Sequence, residues 1–300
     1  MSAIIVKDLV KRYGRFTAVQ DVSFEVASGH VTALLGPNGA GKTTTIEILE
    51  GFLAPSAGTV EVLGANPRTG GRAWRARIGL VLQTTSLDAQ LTVSEALMMF
   101  GALYPKPCRI AEVLDLIELA SDARTRIGAL SGGQRRRVDL GLAIIGQPEM
   151  LFLDEPTTGL DPEARRRLWS VIENLTAAGT TVLLTTHYLD EAQYLAQRVI
   201  VLANGRVAAD ATPDDLRAMG GVPTIRYRVP SEAAALPPAL SMHVGGNVLQ
   251  MPSADVTADL AMLVGWAREN DVDLTGLEVG PPSLEDAYLA LTREGELSHV

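Results

Sequence analysis

Gly36-Pro37-Asn38-Gly39-Ala40-Gly41-Lys42-Thr43 is the stretch on which the fold turns. It fits G-x-x-x-x-G-K-[ST], and its context matters as much as its letters. The apolar run His30 to Leu35 before it reads as a buried strand, and Thr43 to Phe52 after it reads as a helix with Ile46, Leu49 and Phe52 on one side. Glycines let backbone N–H groups converge on phosphate oxygens without side-chain clash, and the helix start turns its positive dipole end toward the anion. Lys42 is placed to neutralise phosphate charge and Thr43 to offer a hydroxyl to Mg2+.

Two further stretches complete the pattern. Met150-Leu151-Phe152-Leu153-Asp154-Glu155 is an apolar strand delivering two carboxylates to the C-terminal edge of a sheet, where ligands of open α/β folds collect. Asp154 is suited to holding Mg2+ and Glu155 to polarising an attacking water. Leu130-Ser131-Gly132-Gly133-Gln134 opens a second helix whose N-terminus presents N–H groups and a hydroxyl to an anion. One chain thus carries two phosphate-binding helix starts. The first already has its loop and lysine, so the second is most simply read as acting on a nucleotide held by another copy.

Outward from these motifs, strands at Thr181–Leu184 and Val199–Leu202 alternate with helices near 162–178 and 188–196, and 91–148 is mostly helical. The alternation implies a largely parallel sheet covered on both faces. Asn204-Gly205 reads as a hairpin turn. Gly220-Gly221 and the Ala/Pro-rich 233–238 mark a change of texture, so the boundary is set at residue 220: a core over 1–220 with a helical subdomain at about 91–148, then a small α+β domain over 221–300. Ser283 with Asp286 resembles a capping box on the last helix.

Composition narrows the partners. With 26 Lys and Arg against 35 Asp and Glu, net charge −9, the chain has no general footprint for nucleic acid, and none is expected as partner. The single cysteine, Cys108, cannot form an intrachain disulfide. A bilayer span needs about 20 apolar residues, and the most apolar stretch, 140–153, is interrupted by Gln147, Pro148 and Glu149. Charge at Lys7 and Asp8 comes too early for a secretion signal, so any membrane role is expected to come through a partner.

In order along residues 3–215, these motifs resemble the nucleotide-binding subunit of ATP-binding cassette transporters. The resemblance implies a P-loop NTPase core with an antiparallel β subdomain, and ATP and Mg2+ as cofactors. It implies that Gly36, Pro37, Asn38, Gly39, Ala40, Gly41, Lys42, Thr43 and Thr44 hold the nucleotide and that Tyr13 stacks on adenine. Gln83, which ends the Ile78–Leu82 strand, would contact Mg2+ or water and sense the membrane partner. Asp161 would link two sites, and His187, past the Val182–Leu184 strand at the same edge as Glu155, would contact the γ-phosphate. Two copies would close head to tail, with Ser131, Gly132, Gly133 and Gln134 facing the partner's loop. Leu82 departs from the proline often found before the glutamine.

The run Gly133 to Leu140 is similar to the subgroup that pairs with a separate ABC-2 type permease, which includes drug and antibiotic exporters; the text Pro282 to Tyr288 resembles that subgroup's tail. Arg135-Arg136-Arg137 and Arg165-Arg166-Arg167 are otherwise expected to be solvated basic faces. The expectation is therefore an ATPase motor at the cytoplasmic face of the membrane, held there by its permease, with the segment after Gln83, through Thr92-Val93-Ser94-Glu95, as the contact. The rivals are a soluble cassette ATPase uncoupled from transport and a nucleotide-gated regulator without turnover. Only 89 positions separate Lys42 from Ser131, which leaves no room for the coiled coil of chromosome-associated members. Glu155 and His187 together weigh against a regulator.

Overall fold

The computed structural model describes residues 1–82, 87–228, 244–245, 248–280 and 283–297. Gln83, Pro282 and the 233–238 stretch lie outside them. The chain divides into two compact units, one built on Met1–Pro213 and the other on Asp214–Leu291.

The first unit begins with a long hairpin, β1 (Ser2–Tyr13) and β2 (Phe16–Ala27), turned at Gly14 in the left-handed region. β3 (Val31–Leu35) is buried along its whole length, and α1 (Lys42–Leu49) follows the glycine-rich loop. The helix stops at Leu49 because Gly51 turns left-handed at φ 84°. Phe52, expected on the buried side of that helix, therefore falls beyond its end and is 60% exposed. β4 (Ala57–Val62) pairs with β1 to make a three-stranded antiparallel layer in the order β2-β1-β4. After α2 (Gly71–Arg75) comes β5 (Ile78–Val81).

The helical stretch then resolves into α3 (Val93–Gly101), α4 (Ile110–Leu116) and α5 (Gly132–Ile144). Thr92 and Glu95 form a reciprocal capping box on α3, which gives both a local structural task. β6 (Met150–Asp154), α6 (Pro162–Ala177), β7 (Thr181–Thr185) and α7 (Leu189–Leu195) complete the alternation. β8 (Arg198–Ala203) and β9 (Arg206–Ala211) form a hairpin through Asn204 and Gly205, both at positive φ.

These strands make a six-stranded sheet in the order β5-β6-β7-β3-β8-β9, parallel except for β9 at its edge. Phe152, Leu34, Leu183 and Ile200 from its centre join Val6, Phe24 and Trp74 in one apolar core. Side chains on both faces of such strands leave water, so near-continuous apolar runs are what a covered parallel sheet requires. The order brings β3 and β6 to either side of β7, which sets the phosphate loop beside the two carboxylates.

The second unit holds α8 (Pro213–Met219, from Asp214 on) and β10 (Thr224–Arg228), β11 (Val244–Gly245), β12 (Val248–Pro252), α9 (Val256–Glu269), β13 (Thr275–Gly280) and α10 (Leu284–Leu297, to Leu291). Its antiparallel sheet runs β11-β12-β10-β13, and Ile225, Tyr227, Leu249 and Met251 pack against Leu263 and Trp266 of α9. The Ser283–Asp286 capping box is present, with Asp286 N–H donating to Ser283 Oγ at 3.1 Å.

Candidate nucleotide site

The loop after β3 takes conformations that demand glycine. At Gly41 φ is 98°, and a Cβ there would lie 2.6 Å from the Ala18 carbonyl oxygen; one at Gly36 would collide with that of Leu202. The loop borders a cleft of about 310 Å3 lined by Asn38, Gly39, Gly41, Lys42, Thr43 and Thr44 on one side and Asp154 and Glu155 on the other. Tyr13, Phe16 and Ala18 of the β1–β2 hairpin close a third side.

Lys42 is buried, and its Nζ donates to the Gly36 carbonyl at 2.6 Å and the Pro37 carbonyl at 3.1 Å. Burial pulls its pKa down, while the carboxylates of Glu155 and Asp154 pull it back up. The ammonium is thus aimed between loop and acids, where a phosphate group can replace the carbonyls as its partner.

Asp154 and Glu155 are oriented by a residue the sequence reading passed over. Thr185, the last residue of β7, stands in register with Asp154; its hydroxyl donates to Asp154 Oδ1 at 2.5 Å and accepts from Glu155 N–H at 3.0 Å. The chain leaves β6 at Glu155 with φ 45°, a left-handed turn that throws the carboxylate toward the cleft. Glu155 Oε2 accepts from the Thr158 hydroxyl at 3.1 Å, and Oε1 lies 3.4 Å from His187 Nδ1. The imidazole rests against Tyr188 at 4.1 Å between ring centroids, and the Arg165 guanidinium covers the other ring at 4.2 Å.

Thr43 and Asp154 supply one hydroxyl and one carboxylate within the cleft. No cluster of three or more His, Cys, Asp or Glu that could hold a metal occurs among the described residues. That sparse donor set fits Mg2+, which keeps waters and phosphate oxygens as most of its ligands, better than a metal needing a full protein cage.

Ser131, Gly132, Gly133 and Gln134 stand apart from the cleft lining. Ser131 and Gly132 are exposed at the start of α5, while Gly133 packs so closely on Ala164 that a Cβ would lie 2.7 Å from it. Gln134 Oε1 accepts from Ser131 N–H at 2.9 Å and its amide donates to Asp122 at 3.2 Å, so this side chain is spent on holding the turn. Asp161 caps α6, accepting from the N–H groups of Glu163 and Ala164 at 3.0 and 2.9 Å.

The expectation of solvated basic faces needs correction at two arginines. Arg136 and Arg137 are not part of a solvated basic face: they are 11% and 8% exposed at the side chain, each folded onto backbone carbonyls. Phe16, opposite Tyr13 at the hairpin turn, adds a second exposed aromatic to the cleft that the sequence reading did not name. Its signal in the sequence is the short turn Gly14-Arg15, which pairs Phe16 with Tyr13 across the hairpin at one side of the cleft.

A phosphate loop after β3, paired acids at the end of β6 and a histidine past the intervening β7 define an ATP-binding cassette. Residues 19–158 match the ABC transporter family, and 223–283 match the C-terminal domain of ABC transporter domain-containing protein-like chains. The chain is 39% identical over 303 residues to the daunorubicin resistance ATP-binding protein DrrA3 of Streptomyces coeruleorubidus, covering 97% of this chain and 96% of that one. It is 40% identical over 300 residues to the Nod factor export ATP-binding protein I of Rhizobium johnstonii, covering 97% and 94%. Among solved structures, an ATP-binding subunit of an ABC transporter matches with TM-score 0.66 and 31% identity over 72% of this chain and 92% of that one. A bacterial ABC transporter cassette solved as a dimer matches with TM-score 0.61 and 25% identity over 70% and 98%.

The chain belongs to the ATP-binding subunits of ABC transporters. It is a nucleotide-binding ATPase, the motor subunit of such a transporter. No helix among the described residues is long and apolar enough to cross a membrane.

Proposed function

We propose that this ATPase powers export of a small drug-like or antibiotic molecule through a separate ABC-2 type permease, docked at the cytoplasmic face of the membrane. The support for export is the character of its relatives, named for daunorubicin resistance and Nod factor export. The observation that carries the mechanism is the separation of Ser131 and Gly132 from the cleft that Lys42 and Glu155 share. A second copy, head to tail, would bring that exposed helix start onto the γ-phosphate and close a composite site.

Within it, the loop N–H groups and Lys42 bind the β- and γ-phosphates, and Tyr13 and Phe16 flank the base. Thr43 and Asp154 would hold Mg2+, with Gln83 a further candidate; the ion's chemistry there is to offset phosphate charge. Glu155 polarises the attacking water, and His187 beside it meets the γ-phosphate. Asp161 lies at the dimer seam. ATP binding closes the pair and hydrolysis releases it, which gives the permease its stroke.

For the permease contact, the support is an apolar groove of about 330 Å3 rimmed by Phe52, Leu80, Leu82, Phe100 and Tyr104, with Glu50 and Asp139 in its wall. Phe52 at 60% exposure and Leu82 at 43% are apolar surface of the kind a partner covers.

Expression with and without a neighbouring six-span membrane protein tests the reading. Retention in salt-washed membranes only with that protein, together with ATP-dependent efflux from cells, is the expected result. A chain that stays in the supernatant in both cases ends the transporter coupling.

A further inference from the structure

Arg136 lies on α5, four residues after the second helix start begins at Gly132, and it is oriented inward. Its guanidinium donates from Nε to the Pro156 carbonyl at 2.9 Å, from Nη1 to that of Leu82 at 2.6 Å, and from Nη2 to those of Asp154 and Glu155 at 2.8 and 3.2 Å. Asp139, one turn on, lies 3.8 Å from Nη1 and also lines the apolar groove. One side chain therefore spans the end of β6, the residue preceding Gln83, and the helix that starts at Gly132.

The backbone needs such a partner. At Glu155 the chain departs from the sheet through a left-handed φ just past the end of β6; its carbonyl takes a 3.3 Å bond from Thr158 N–H, and Arg136 is the side chain that ties the carbonyls of Asp154, Glu155 and Pro156 together. Buried carbonyls without donors are costly, and a non-glycine residue at positive φ persists only where its surroundings hold it. A planar guanidinium with five donors satisfies four acceptors from a single rigid fork, which an ammonium cannot do. Burial pulls the Arg136 pKa down, and Asp139, Asp154, Glu191 and Glu155 pull it back up.

We propose that Arg136 is a positioning residue for hydrolysis: it locks the turn that aims Glu155 at the phosphate cleft and makes that turn move as one body with α5 and with Leu82. The inference rests on Glu155 activating the water. It adds a physical route by which movement at the groove or at the dimer seam reaches the attacking water: displacing α5 pulls directly on the Glu155 backbone.

The test uses the full chain and steady-state ATPase kinetics with thermal unfolding. Arg136→Gln is expected to lower kcat at least about 10-fold while leaving KM for ATP within about twofold, because the loop and Lys42 are untouched. Arg137→Gln is the control: that arginine is as buried on the same helix but bonds to the Ile117 and Glu118 carbonyls and to the Glu118 carboxylate at 3.5 Å, not to the backbone of Asp154 or Glu155. It should lower the unfolding midpoint and leave kcat near wild type. Arg136→Lys, which keeps the charge and reaches fewer carbonyls, should fall between wild type and Arg136→Gln; it carries the test if Arg136→Gln does not fold. Wild-type kcat in Arg136→Lys and in any folded Arg136→Gln, or an equal loss in Arg137→Gln, overturns the proposal. Glu155→Gln separates the two readings. If it hydrolyses ATP normally, the assignment of Glu155 fails and takes this inference with it; if it is inactive while Arg136→Gln is active, only the role of Arg136 fails.

Discussion

His187 Nδ1 lies 3.4 Å from Glu155 Oε1, although the two residues leave the ends of different strands 32 positions apart. β6 and β7 are adjacent and parallel, so their chain ends emerge side by side, and Thr185 fixes the offset by bonding to both Asp154 and Glu155. An acid and an imidazole thus meet beside the cleft of the phosphate loop, the pair to which the proposed hydrolysis assigns water activation and γ-phosphate contact.

Glu155→Gln should cut turnover at least about 100-fold, the scale of a lost general base, while ATP still binds. A nucleotide-bound dimer should accumulate on size exclusion in ATP. Phosphate release at the wild-type rate would remove Glu155 as the base.

Ser131→Arg places a long cation on the exposed helix start and should damage the partner's site rather than its own. A mixed dimer of Ser131→Arg with Lys42→Ala keeps one intact composite site and should trap ATP at that site alone. Failure of both sites to trap ATP would contradict the assignment in trans.

Thr185→Val removes a hydroxyl that donates to Asp154 and accepts from Glu155 N–H, leaving shape nearly unchanged. The expected result is a loss of about 1–3 kcal/mol in unfolding free energy together with a drop in kcat. Chemical denaturation and ATPase assays on one preparation read both; neither changing would mean that the acids orient themselves.

Glu50 sits 7% exposed at the end of α1, and burial, with Asp154 and Glu47 nearby, raises its pKa from 4.5 to about 8. Folding therefore favours the protonated acid. That stabilisation is full below pH 4.5 and is lost as pH rises through about 8, where the folded chain must carry a buried charge. Glu50→Gln should flatten this segment of the stability–pH curve and be the more stable variant above pH 8. Parallel curves for the two proteins would refute the buried-acid assignment.

Gly41→Ala puts a Cβ 2.6 Å from the Ala18 carbonyl at a φ of 98°. It should destabilise by about 1–3 kcal/mol and weaken ATP binding, measured by calorimetry and thermal melting. Unaltered binding would show that the loop tolerates a shifted backbone.

Where a motif is carried by consecutive residues, its local structure is legible in the sequence. The loop Gly36 to Thr43 needs its glycines next to its lysine, the strand Met150 to Asp154 needs its acids at its own end, and a capped helix start announces itself in Ser131 to Gln134. The helical period after the loop continues to Phe52, while the left-handed turn at Gly51 ends α1 at Leu49. Three consecutive arginines, 135–137, looked like surface charge because burying arginine demands acceptors that no local pattern reveals.

Those acceptors come from elsewhere in the chain. Arg136 finds carbonyls at Leu82 and 154–156, and Thr185 finds Asp154 across a strand pair. Which groups offer N–H donors, hydroxyls and carboxylates is legible in the residues themselves, since each motif is complete within a few residues of backbone. How those groups are aimed is settled in the folded chain, because aim depends on hydrogen bonds and packing between segments whose proximity is set by the order of strands in the sheet.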